Sequence, residues 1–136
     1  MEEPFDLERG IKMTMEILPQ AFTVCQVEAL PVDVLETEFC FFGKTDQELS
    51  LVCPTEVAPK QTLEREDGWR GIRIAGKLEF SLIGILAELS GVLAKEHIGI
   101  FAVSTYDTDY ILLKGIQLEQ AVNALREHGY VVQNLA

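Results

Sequence analysis

The feature that most constrains this chain is the order in which two hydrophobic periods alternate between residues 69 and 136. WRGIRIAG (69–76) carries Trp69, Ile72 and Ile74 and reads as a strand. In the following LIGILAELSGVLAKEHI, Leu82, Ile85, Leu86, Leu89, Val92 and Leu93 recur at spacings of three and four, the period of a helix with one buried face. IFAVSTY (100–106) and DYILLKG (109–115) then form a hairpin across Asp107-Thr108. Leu118, Ala121, Val122 and Leu125 mark a second helix over 117–128, with Gly129 as its C-terminal stop, and YVVQNL supplies a closing strand. Strand, helix, strand, strand, helix, strand is the split βαββαβ unit. Two helices cover only one face of its sheet, and a unit this small has little stability with which to expose the other face. It needs a partner.

The first 68 residues repeat the strand and hairpin parts with weaker helices. IKMTMEIL alternates apolar Ile11, Met13, Met15 and Ile17 with Lys12, Thr14 and Glu16, the signature of a half-buried strand that Pro19 is expected to end. FTVCQVE (22–28) reads as a second strand with less cleanly sorted faces, and PVDVLET (31–37) has room for one or two helical turns. EFCFFGKTDQELSLVCP predicts a hairpin of strands near 38–43 and 49–53. Residues 54–68 read as a polar crossover or linker. The expected fold class is therefore α+β, two ferredoxin-like halves with antiparallel sheets and helices on one face, the first half less regular. The expected division is 1–68, including an acidic lead-in, and 69–136.

The charge is uneven. The chain carries net −11, of which residues 1–68 hold 15 acidic and 5 basic side chains, against 7 and 6 in residues 69–136. Such a surface repels phosphate backbones, so nucleic acid is excluded as an expected partner. Cys25, Cys40 and Cys53 form no Cys-x-x-Cys pair and lie in apolar runs, so they read as inert buried thiols of a reduced compartment. No metal and no cofactor is expected. No apolar run approaches the length of a membrane span, and a cytoplasmic location without membrane partners is the expectation.

SLIGILAELSGVLAKEHIGIFAVSTYDTDYILL (81–113) resembles the small regulatory modules called ACT domains, and LVCP (51–54), GWRGIRI (68–74) and STYDTDYIL (104–112) are similar, in order, to motifs of small bacterial proteins with two tandem ACT-like halves. The resemblance implies a regulatory protein that binds a small effector, often an amino acid, at the junction of two halves or subunits, and a homo-oligomer. The positions it implies for ligand contact are Phe80, Ser81, Leu82, Ile83 and Gly84 on the way into the first helix, and Ile100, Phe101, Ala102, Ser104 and Thr105 on the second strand. Physical reasoning points to the same end of the unit: a helix N-terminus near Leu82 suits a carboxylate, while Asp107 and Asp109 suit an ammonium or a basic side chain.

Each of these residues also has a plain structural use. Ser81 is an N-cap, Gly84 and Gly91 are packing positions, Asp107 is a turn former, and Phe101 and Tyr106 are core or interface aromatics. Arg70 and Arg73 can pair with acids of the first half. His97 and His128 sit at helix ends with no nucleophile and base arranged around them, and no G-x-G-x-x-G, P-loop or H-E-x-x-H pattern occurs, so an enzyme is not expected. The competing reading is an interaction or oligomerisation module without a small ligand, using the bare sheet face or an edge strand.

Overall fold

Helical periodicity between residues 84 and 128 becomes two helices in the computed structural model, which describes residues 13–75 and 84–135. The elements are β1 (Thr14–Gln26), β2 (Phe41–Lys44), β3 (Leu49–Pro54), β4 (Glu64–Ile74), α1 (Ile85–Lys95), β5 (Ile100–Ser104), β6 (Asp109–Lys114), α2 (Leu118–Glu127) and β7 (Val131–Asn134), with short 3-10 turns at Val32–Glu36, Thr55–Val57 and Gly115–Gln117. The class is α+β. The chain forms two compact units, one holding the residues up to Pro19 together with Arg70 onward, the other Gln20–Trp69. The expected division at residue 68 lies next to the observed step at Trp69, but it assigns the first part of β1 to the opposite unit.

The reason lies in strand pairing. In the larger unit the strand order is β7, β1, β4, β6, β5. Residues Thr14–Ile17 run parallel to Val131–Asn134, so the last strand of the chain is held by the first, and residues 69–136 alone do not close the sheet. Alternation in β1 sends Met13 and Met15, both at most 1% exposed, into the core with Ile72, Ile74, Ile111, Leu113 and Val132, where Ile85, Leu89, Val92 and Leu93 of α1 and Ala121, Val122 and Leu125 of α2 cover them. Each large aliphatic side chain buried this way contributes about 1.5–3 kcal/mol. The opposite parity, Glu16, Arg73, Tyr110, Phe101 and Val103, lies on the sheet face away from the helices.

Pro19 does not end β1. It falls between the stretch paired with β7 and the stretch Phe22–Gln26 paired with β3, so its missing N–H removes no bond from either ladder. Glu64–Gly68, expected as linker, is strand with all five residues exposed, which leaves no hydrophobic alternation to read.

In the smaller unit the order is β2, β3, β1, β4. Its core is Cys25, Val27, Val34, Leu51 and Cys53, capped by 3-10 turns where the larger unit has helices. All three cysteines are free, Cys25 and Cys53 buried and Cys40 half-buried. The Thr23 hydroxyl, fully buried, donates to Asp67 Oδ1 (2.6 Å) and shares a hydrogen bond with the Thr55 hydroxyl (2.9 Å). That bond from Thr23, helped by Arg65, holds the Asp67 carboxyl below its usual range.

The two hairpins are built to one plan. The pairs Phe41↔Val52 and Lys44↔Leu49 recur as Phe101↔Leu112 and Ser104↔Asp109, each shifted by sixty residues. The turns recur as well: Thr45 N–H donates to Glu48 O, and Thr105 N–H to Thr108 O, both at 2.9 Å. Each hairpin then runs into a three-residue 3-10 turn, at Thr55–Val57 and Gly115–Gln117.

Both helices end in the same two-bond stop. In α1, Ile98 N–H reaches Leu93 O and His97 N–H reaches Ala94 O; in α2, Tyr130 N–H reaches Leu125 O and Gly129 N–H reaches Arg126 O. The residue after each cap is left-handed, His97 at φ 60° and Gly129 at φ 92°. Gly129 meets this demand without strain and His97 does not. We therefore expect His97→Gly to raise stability by about 1 kcal/mol and Gly129→Ala to lower it by about 1 kcal/mol, read as urea midpoints. Burial pushes the Cys53 thiol from 9.0 up to about 12, and burial together with Glu88 raises the Tyr130 phenol. Both groups are more easily ionised in the unfolded chain. Stability should be fully present below about pH 9 and fall as the pH rises toward about 12, a decline that a urea series at stepped pH measures and that Cys53→Ala makes shallower.

Candidate functional site

The clearest concave surface of the larger unit lies at the β5–β6 turn. A cleft of about 320 Å³ is lined by Glu16, Arg73, Thr105, Tyr106, Asp107, Thr108 and Tyr110. Three strands supply it. β1 presents Glu16 from the polar side of its alternation, β4 presents Arg73 between the core residues Ile72 and Ile74, and β6 presents Tyr110 one residue before Ile111. The turn contributes the rest. Thr108, 6% exposed, anchors it: its hydroxyl donates to Ile74 O at 2.8 Å, tying the turn to the end of β4. The Thr105 hydroxyl donates to Thr108 O at 3.0 Å and closes the turn on itself.

Arg73 is the fixed charge of the cleft. Its Nε and Nη2 both donate to Oε1 of Glu16, at 3.2 and 3.1 Å, and its guanidinium carbon stands 6.0 Å from the centroid of the Tyr110 ring. Burial works against the guanidinium charge, but hydrogen bonds with Tyr110 and Glu16 outweigh it and hold the Arg73 pKa above its ordinary value. With side chains only 24% and 19% exposed, this pair is more sheltered than the surface pairing expected for Arg73, and its acidic partner is Glu16.

Of the sequence-predicted positions, the cleft gathers Thr105 and Asp107. Asp109 opens β6 opposite Ser104 at the end of β5, next to the turn. Ile100 packs against the helix-side core, whereas Phe101 belongs to the opposite face and Ala102 is exposed. Gly84 occupies the N-cap of α1 with φ 83°. Phe80, Ser81, Leu82 and Ile83 lie outside the described residues. A Cβ at Gly84 or Gly91 would meet nothing within 4 Å, so neither is held by close packing among the described residues. Glu16, Arg73, Tyr106, Thr108 and Tyr110 were not expected here as site residues; the readable signal was the polar parity of Glu16 and Arg73 within otherwise apolar strands.

A second cleft, about 350 Å³, lies in the smaller unit and is lined by Val27, Glu28, Ala29, Gln61, Thr62 and Leu63. Glu28 is the one ionisable group in that lining. Among the described residues no cluster of His, Cys, Asp or Glu is arranged to hold a metal, and no helix is long and apolar enough to cross a membrane.

Residues 64–127 match the ACT domain family profile. A protein of Agobacterium tumefaciens of known crystal structure is similar at 28% identity and TM-score 0.82, over 90% of this chain and 94% of that one. The regulatory subunit of aspartate kinase from Thermus thermophilus shares the fold at TM-score 0.56 and 9% identity, over 80% of this chain and 93% of that subunit. The Clostridium acetobutylicum aspartate kinase shares it at TM-score 0.61 and 15% identity, over 94% of this chain but 36% of the enzyme. No curated protein sequence is significantly similar.

Replacing Thr108 by Val keeps the side-chain shape but leaves the Ile74 carbonyl without its buried partner. The expected cost is about 1–2 kcal/mol in unfolding free energy, with amide shift changes concentrated at residues 74 and 105–108 in two-dimensional NMR.

Proposed function

We propose that this protein is a small-molecule sensor without catalytic activity of its own, built from two ferredoxin-like ACT-type units, 1–68 and 69–136 in outline, and that its effector is an amino acid. The observation that carries the reading is the cleft at the β5–β6 turn, whose lining residues other than Glu16 fall in the span matching ACT domains and include both Thr105 and Asp107. Its volume suits one amino acid, and its lining offers a guanidinium, carboxylates and hydroxyls. The kinship of fold with a regulatory subunit supports a role in control and not in chemistry. The effector acts by favouring one of two arrangements of the protein, since regulation requires different affinities for the two states. The reading further places the protein in the cytoplasm as a homo-oligomer.

One observation favours a second reading, an interaction module with no small ligand. β5 lies at the edge of the sheet order, and its sequence Ile100-Phe101-Ala102-Val103-Ser104 carries no charge, proline or glycine to discourage pairing with another strand.

A thermal-shift panel of the proteinogenic amino acids separates the two. A true effector at about 100 times its Kd stabilises the native state by about 2.7 kcal/mol and raises Tm by several degrees. If no amino acid moves Tm at about 10 mM, where even a Kd of about 1 mM would register, the sensor reading fails and the interaction module stands.

A further inference from the structure

We propose that Cys40 and Cys53 of the smaller unit form a redox-modification site, a thiol pair that a low-molecular-weight disulfide converts to a reversible cross-strand disulfide. The register of the β2–β3 hairpin brings the two together. Lys44 stands opposite Leu49 and Phe41 opposite Val52, so one further step sets Cys40 opposite Cys53. The counterpart sixty residues on, Ile100 opposite Leu113, is a ladder pair. The kind of position matters as much as its place. Hydrogen-bonded and non-hydrogen-bonded pairs alternate along an antiparallel ladder. Counted from the turn, where Thr45 N–H bonds to Glu48 O, Phe41–Val52 is a hydrogen-bonded pair and Cys40–Cys53 falls on the other kind. Such a position holds two Cα atoms about 4.5 Å apart, inside the roughly 4.4–6.8 Å that a disulfide bridges. Packing agrees with the register: Cys53 belongs to the core of the smaller unit, and Cys40 packs against that core.

Burial divides the work between the two thiols. All three cysteines are free, and Cys40 alone among them is not fully buried, so its sulfur is the one that a dissolved reagent meets. The expectation of three inert thiols does not hold for it. The Cys40 thiolate attacks one sulfur of the reagent, forming a mixed disulfide and releasing the first reagent thiol. Cys53, as its thiolate, then attacks Cys40 Sγ and expels the second. Two protein thiols and one small disulfide thus become one protein disulfide and two small thiols, which carry away both protons and both electrons, and an excess of small thiol runs the exchange backwards. Burial pushes both protein thiols up, Cys53 to about 12 with Cys25 and Cys40 adding to the rise. The exchange is therefore slow at neutral pH and quickens as the pH rises. Cys25, buried and opposite Leu51, sits diagonally from Cys53 and is shielded from the first step. The product ties β2, at the end of the strand order, covalently to β3. In a reduced compartment such a bond is transient, as a redox response requires.

The test treats the reduced full chain with oxidised glutathione in native buffer, quenches in acid and maps the product by mass spectrometry. The chain should lose two hydrogens at the Cys40–Cys53 pair, retain no glutathione, and regain the hydrogens with dithiothreitol. Formation should quicken about tenfold between about pH 7 and about pH 8, following the thiolate fraction. Cys53→Ala should stop at one glutathione held on Cys40, and Cys25→Ala should leave the cross-link unchanged. Mapping of the unsubstituted chain decides the matter even where a variant fails to fold. Glutathione retained on Cys40 of that chain, or a cross-link that uses Cys25, overturns the pair. So does a mixture of all three pairings in native buffer like the one that closure in concentrated urea gives. An unmodified Cys40 in the native chain, when the same reagent modifies it in urea, overturns the site altogether.

Discussion

The larger unit depends on the place of residues 14–19 in its sheet. They stand between β7 and β4, paired in parallel to the last strand, and they bury Met13 and Met15 among the side chains that α1 and α2 cover. Removing them would separate β7 from the rest of the sheet and expose the centre of the core. The same strand carries Glu16 on its other parity, so the residue that holds Arg73 in the cleft is supplied by the segment that completes the sheet. Stability and site construction are therefore two faces of one strand.

Much of the larger unit was legible because its signals are local. Ile85, Leu89, Val92 and Leu93 describe a helical face unaided, and Gly129 marks a stop whose geometry the structure shows in full. The failures share a cause. Glu64–Gly68 is held in a strand by pairing alone, with every side chain exposed. Pro19 reads as a terminator because nothing nearby reveals that it falls between stretches paired with two different strands, where its missing N–H breaks neither ladder. The common plan of the hairpins is hidden because Phe41 and Phe101, and Thr45 and Thr105, are identical at the equivalent positions while almost everything else differs. What repeats is register and turn bonding, which the backbone carries.

The candidate site divides in the same way. Thr105 and Asp107 lie in a turn that polar residues announce, and the resemblance to ACT domains directs attention there. Glu16 and Arg73 are 57 residues apart, and their encounter is a property of the sheet order. Ile100 sits on a strand that the resemblance implicates, and its parity turns it toward the helices. Parity within a strand decides which of several neighbouring residues can reach a ligand, and a family pattern carried over by position does not contain that information.

The parallel pairing of Thr14–Ile17 with Val131–Asn134 also has a consequence for how the protein is made. Residues 14–17 must wait for residues 131–134, so the larger unit cannot finish its sheet on the ribosome until those later residues have emerged. The intervening hairpins and helices are local and close quickly, whereas this pairing spans most of the chain and is the slow, high-separation step. During that interval Met13 and Met15 lack part of their cover, and the rate at which residues 118–134 arrive sets how long an apolar strand is exposed to other nascent chains.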